Sequence, residues 1–132
     1  MDRSQGYFIE ELSIGMREDY SKTVTDADIL TFADISGDTN PVHLDPDYAS
    51  GTVFKERIAH GMLSASFISA LLGTRLPGPG AIYLSQSLRF RAPVMIGDLV
   101  IASAVVTEVN REKKRIVLDT VCKVGDKTVI DG

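Results

Sequence analysis

The stretch from His60 or Gly61 to Leu72 is apolar almost all round. Met62, Leu63, Ala65, Phe67, Ile68, Ala70, Leu71 and Leu72 occupy every face of a helix drawn over it, and its polar side chains are Ser64, Ser66 and Ser69, small enough to lie against backbone. Gly73 is expected to stop this helix, with Pro77 and Pro79 behind it. A helix hydrophobic on all sides is a buried one. The chain contains no run of about eighteen apolar residues, the length that would suit a membrane span, so the helix must be wrapped by the protein's own strands. About thirteen residues at ~1.5 Å each make a rod of roughly 20 Å, comparable with four or five strands spaced ~4.8 Å apart.

The wrapping strands are legible on the C-terminal side. From Ala81 to Arg91, Ile82, Leu84, Leu88 and Phe90 alternate with polar residues and Tyr83, the period-2 pattern of a strand with one buried face. Asp98 to Val109 is rich in Val, Ile and Thr, and Arg115 to Val124 places Ile116, Leu118, Thr120, Cys122 and Val124 on one side. Polar Asn110 to Lys114 turns one strand into the next, and Gly125-Asp126 turns into a last strand from Lys127, giving an antiparallel meander. That strand stops at Gly132 after a few residues, so either the closing strand is short or the natural chain continues. On the N-terminal side, Thr25 is an N-cap, Asp26 and Asp28 sit where the helix dipole favours negative charge, and Ile29, Leu30, Phe32, Ala33 and Ile35 follow at helical spacing up to Ser36-Gly37. Asp38 to Pro46 is irregular, and Asp45-Pro46 opens a short helical turn. The class is α+β, an antiparallel sheet curled round one central helix: a hot dog fold, with residues 1–132 read as a single domain.

Composition narrows the partners. With 14 Lys+Arg against 18 Asp+Glu, the net charge of −4 provides no positive field for a nucleic-acid backbone. The single cysteine, Cys122, cannot staple a fold and is expected to be a buried small hydrophobe. The N-terminus lacks the pattern of a signal or transit peptide, so a cytoplasmic protein is expected.

Ser36-Gly37-Asp38-Thr39-Asn40-Pro41-Val42-His43 sets a carboxylate and an imidazole in a segment that Pro41 keeps from being regular helix. Such a pair can hold one water between a base and a proton partner. The same residues also serve as turn formers, Asp38 capping a turn and His43 being a loop histidine, and spacing alone does not choose. At His60-Gly61, the first amides of the buried helix have no internal partner and sit at its positive end, and Gly61 carries no side chain to block a carbonyl oxygen docking there. Alternatively, Gly61 merely lets the helix start close to a strand. Asp38, His43 and His60 as metal ligands are set aside, because no helical histidine spacing or further ligand cluster supports them. Arg89 and Arg91 read as a solvated strand edge, and Arg111, Glu112, Lys113, Lys114 and Arg115 as a solvated hairpin tip.

The octapeptide at 36–43, Ile58-Ala59-His60-Gly61-Met62-Leu63, and Ser87-Leu88-Arg89-Phe90 leading through Pro93 to Gly97-Asp98 closely resemble the MaoC-like family, and within it the small (R)-specific enoyl-CoA hydratases. The resemblance covers roughly residues 10 to 130. It implies a hot dog fold, a homodimer joining two sheets edge to edge, and an acyl-thioester tunnel near the dimer interface. It implies Asp38 and His43 as the catalytic dyad, Asn40 as the residue ordering their loop, Gly61 as the amide receiving the thioester carbonyl, and Ser69 as a helix serine near the dyad. His60 is expected to be a structural residue at the helix start. The implied reaction is reversible addition of water to a trans-2-enoyl-CoA, giving the (3R)-3-hydroxyacyl-CoA without metal or cofactor. The partner is an acyl-CoA substrate, with no nucleic acid and no membrane. Members of the family continue past the position of Gly132 with a completed last strand. Competing readings are a 3-hydroxyacyl dehydratase acting on acyl carrier protein, a thioesterase on the same fold, and a non-catalytic acyl-thioester-binding subunit.

Overall fold

The computed structural model describes residues 6–132. The strands are β1 (Arg17–Thr23), β2 (Arg89–Phe90), β3 (Leu99–Asn110), β4 (Arg115–Val124) and β5 (Lys127–Asp131), and the α-helices α1 (Asp26–Ser36), α2 (Pro41–Leu44), α3 (Pro46–Ser50) and α4 (Gly61–Thr74) all fall between β1 and β2. The strands form one antiparallel sheet in the order β1-β3-β4-β5-β2. The β3–β4 hairpin turns where the composition predicts: Asn110 Oδ1 accepts from the Lys113 amide at 3.0 Å, and residues 111–115 are exposed.

α4 packs across β3, β1 and β4. Its Ile68 and Leu71 are fully buried together with Val100, Ala102 and Ala104 of β3 and Cys122 of β4. The alanines let the helix approach the sheet closely, while each buried Ile or Leu contributes roughly 1.5–3 kcal/mol by leaving water. This sheet and helix together form the α+β hot dog arrangement expected from the sequence.

Three local expectations are corrected. Only Arg89 and Phe90 of the segment 81–91 pair, with Asp131 and Ile130 of β5. Residues 81–88 belong to no ladder, and Ile82 and Leu84 are 80% and 66% exposed. The alternation there specifies an extended chain, but β5 is five residues long and can partner only its end. Gly73 does not stop α4, which continues to Thr74 and closes at Arg75, whose amide reaches Leu71 O at 2.9 Å. Gly73 does not take the left-handed conformation that makes a glycine a helix stop. The chain does not enclose α4 on every side: Met62, Ser66, Ser69 and Gly73 line one exposed stripe. In α1, Ile29 and Ala33 are buried, whereas Leu30 and Ile35 face outward. β1 carries no sequence signal of its own. Its residues Arg-Glu-Asp-Tyr-Ser-Lys-Thr form a polar edge strand in which Tyr20 is the sole large apolar side chain.

Candidate active site

The site begins where α1 ends. Thr25 Oγ1 accepts from the Asp28 amide and Asp28 Oδ2 from the Thr25 amide, a reciprocal cap, and the helix closes at Gly37 with φ +79°. Beyond it, side chains replace the missing backbone ladder. Ser36 Oγ accepts from the Asp38 amide at 3.1 Å, Asp38 Oδ1 from the Asn40 amide at 3.2 Å, and Asn40 Oδ1 from the Val42 amide at 3.2 Å. Asn40 is thereby the N-cap of α2, with Pro41 at its first position, where a missing N–H costs nothing. That short turn carries His43 inward, while Asp38 stays exposed.

His43 Nδ1 lies 2.8 Å from Ile58 O. A carbonyl only accepts, so Nδ1 carries the proton and the neutral ring leaves Nε2 as a bare acceptor. Burial holds the His43 pKa below the ordinary histidine value; neighbouring His60 acts in the same direction, and the Ile58 bond and Asp38 oppose it. Arg57 Nε donates to His43 O at 2.6 Å while its guanidinium pairs with Asp26 at 2.7 Å, tying α2 back to the first turn of α1.

A carboxylate oxygen of Asp38 and one ring nitrogen each from His43 and His60 lie within 4.8 Å of one another, a span that one water can bridge. A single metal ion suits the trio poorly. The two imidazoles are stacked 3.9 Å apart at 28°, so their in-plane lone pairs lie in separate layers.

These groups border a cavity of about 480 Å³ whose walls include Gly61, Ser64, Phe90 and Ile130. Gly61 is the first residue of α4, so its amide is among those without an intrahelical acceptor. The space beside its Cα is taken by Phe90: a Cβ at Gly61 would stand 2.6 Å from that ring. Ser69 lies two turns along α4 on its exposed stripe and is not in this cavity wall; the helix serine that is there is Ser64, 1% exposed, with a hydroxyl lacking a protein partner among the described residues. Arg91 is exposed and paired with Asp131 at 3.0 Å. Cys122 is buried, its thiol raised to about 11 by desolvation, as a small hydrophobe would be. Arg57, Ser64, Phe90 and the orienting contact of His60 escape sequence reasoning, since each depends on a neighbour far along the chain.

A carboxylate and a buried neutral imidazole facing one cavity beside the start of a helix are arranged for water activation next to a polarised carbonyl. Residues 11–128 match the MaoC like domain, and the chain belongs to the MaoC-like family. It is 56% identical over 126 residues to an (R)-specific enoyl-CoA hydratase of Rhodospirillum rubrum, covering 96% of this chain and 88% of that protein. It is 50% identical to a 3-hydroxybutyryl-CoA dehydratase of Methylorubrum extorquens, covering 95% and 80%. The R-hydratase PhaJ1 of Pseudomonas aeruginosa superposes with a TM-score of 0.91 at 46% identity, over 96% of this chain and 82% of that one.

Proposed function

We infer that the protein catalyses the reversible hydration of a trans-2-enoyl-CoA to the (3R)-3-hydroxyacyl-CoA, with Asp38 and His43 as its dyad. The observation that carries this reading is the convergence of the Asp38 carboxylate and the His43 ring beside the N-terminus of α4, in one cavity. The hydratase and dehydratase names of its relatives describe the two directions of one reaction.

The chemistry follows from the acceptor pattern. A water between the carboxylate and His43 Nε2 donates one hydrogen to each, which turns its oxygen lone pair toward C3 of the enoyl group. As the C3–O bond forms, the π electrons move through C2 onto the thioester oxygen, and one water proton passes to the dyad. The Gly61 amide and the positive end of α4 stabilise the enolate oxygen; such a donor is worth about 2.7–4 kcal/mol in other enzymes. Collapse of the enolate takes a proton at C2, and the dyad returns to its starting state. Asn40 orders the loop; Ser69, which the resemblance puts near the dyad, lies on the exposed stripe of α4 outside the cavity wall and is given no step.

Two further parts belong to this proposal. The protein is cytoplasmic; no helix of the described residues is long and apolar enough to cross a membrane. It acts as a two-fold homodimer, because the unpaired 81–88 segment exposes Ile82 and Leu84 beside the short edge strand β2. Sedimentation at micromolar concentration is expected to give twice 14.3 kDa; a stable active monomer overturns the dimer.

Loss of enoyl-thioester absorbance with crotonyl-CoA and longer enoyl-CoAs, with chiral analysis of the product, tests the reaction. The expected outcome is a (3R)-3-hydroxyacyl-CoA with no free thiol, and faster turnover than on the matching carrier-protein thioester. Release of free CoA would show hydrolysis instead.

A further inference from the structure

His60 is expected from sequence to serve the start of α4, yet its side chain caps none of that helix's amides. Its Nε2 lies 2.9 Å from the main-chain oxygen of Asp38, 22 positions earlier. Because a carbonyl only accepts, Nε2 carries the proton. Nδ1 is buried and lacks a protein partner among the described residues, and the ring stands against the neighbouring His43. It is 2% exposed, stacks on His43 at a centroid distance of 3.9 Å, and meets Phe32 at 4.9 Å. One imidazole thus bonds to the backbone of one dyad member and covers the ring of the other.

This arrangement matters because Asp38 stands on an exposed loop without a backbone ladder, held otherwise by short side-chain contacts within residues 36–42. Among the described residues, the His60 bond is the hydrogen bond that ties Asp38 to the interior. We propose that His60 is the positioning residue of the dyad: its Nε2–H···O=C bond to Asp38 sets the distance between the carboxylate and His43, and its ring fixes the plane of the His43 imidazole. The proposal rests on the hydratase reading of the same site, and gives His60 no proton to transfer.

Two variants separate the bond from the ring. In His60→Gln the amide nitrogen occupies nearly the place of Nε2 and preserves the donor; in His60→Phe the ring remains and the donor is lost. Misplacing reacting groups by about 1 Å can cost about 10²-fold. For His60→Phe, kcat with crotonyl-CoA is expected to fall about 10- to 100-fold with KM within about threefold, while His60→Gln stays within about fivefold of the wild type. Near wild-type kcat in His60→Phe, or a loss in His60→Gln as deep as in His60→Phe, overturns the proposal. Should His60→Phe fail to fold, the ¹⁵N spectrum of the histidine rings in the wild-type protein decides. His60 is expected to show a protonated Nε2 bonded to a carbonyl, and the opposite tautomer, with Nε2 bare, overturns the assignment. That spectrum is independent of turnover: a wild-type protein inactive on every enoyl-CoA would defeat the reaction assigned above while leaving the His60–Asp38 bond to be read directly.

Discussion

The loop of residues 36–44 and the β3–β4 hairpin are both ordered by hydrogen bonds, but by different kinds. In the hairpin, main-chain groups pair with main-chain groups from Ile101↔Lys123 to Asn110↔Arg115, and side chains are free to vary on the exposed face. In the loop, scattered main-chain bonds such as Thr39 N–H to Gly37 O and Ile58 N–H to Val42 O are supplemented by the side chains of Ser36, Asp38 and Asn40, with Arg57 and His60 reaching in from the segment before α4 to hold the carbonyls of His43 and Asp38. A ladder tolerates substitution because its donors and acceptors belong to every residue. A loop built from side chains is specified one residue at a time, and its residues serve geometry rather than the hydrophobic core. Changes in the loop are therefore expected to cost turnover with little stability, and changes under the sheet to cost stability with little turnover.

The largest effect tests the loop side of that division. Proton-transfer groups contribute about 10²- to 10⁴-fold. Asp38→Asn and His43→Gln are each expected to lower kcat by at least that range while the circular dichroism spectrum and the sedimentation mass stay unchanged. Either variant turning over near the wild-type rate breaks the assignment of the dyad. Gly61→Val comes next. A branched side chain there meets the Phe90 ring, which is half-exposed and can move, so the sheet need not deform. The displaced ring and the new methyls then occupy the ground beside the Gly61 amide, and a loss of about 10²- to 10³-fold in kcat is expected. Full activity in Gly61→Val would remove Gly61 as the oxyanion donor.

The converse is read at Ile68, fully buried between α4 and the sheet. Ile68→Val removes one methylene group and is expected to cost about 0.5–1.5 kcal/mol in urea unfolding. Turnover per folded molecule should remain near the wild-type value. A kcat loss larger than the stability loss would mean that the core beneath α4 and the loop are coupled.

The same contrast governs what the sequence reveals. Periodicity reports burial, so β3, β4, α4 and the cap of α1 stand out in the chain itself. It misleads at Ala81 to Arg91, where alternation describes an extended segment of which only Arg89 and Phe90 join the sheet, and it is silent at β1, whose edge position leaves it polar. The proposed dyad is legible only through its motif, Asp-Thr-Asn-Pro-Val-His, because Asn40 and Pro41 have local jobs in capping α2. Arg57, His60 and Phe90 act across 14, 22 and 29 positions, on His43, Asp38 and Gly61 respectively, and no local pattern encodes such pairings. Ser69 was assigned by resemblance; within one chain the serine bordering the cavity is Ser64.

The smallest effect joins both regions through His43, a loop residue buried like a core residue. Burial is the main cause holding its pKa below the ordinary value, so the folded protein takes up this proton at a lower pH than the unfolded chain, whose histidine titrates near ~6.5. Between the two values the unfolded state binds more protons, so stability rises with pH across that window and is fully present above about 6.5; it is lost as pH falls through the folded value. Activity follows the same group, because only the neutral ring offers Nε2 to water. In the free enzyme, kcat/KM is expected to fall on an acid limb whose midpoint lies below ~6.5. The matching component of the melting temperature against pH should be absent from His43→Gln. An acid limb centred above the ordinary histidine value would mean that the cation, not the neutral ring, is the form the fold favours, and the water would then face a donor where the proposed chemistry needs an acceptor.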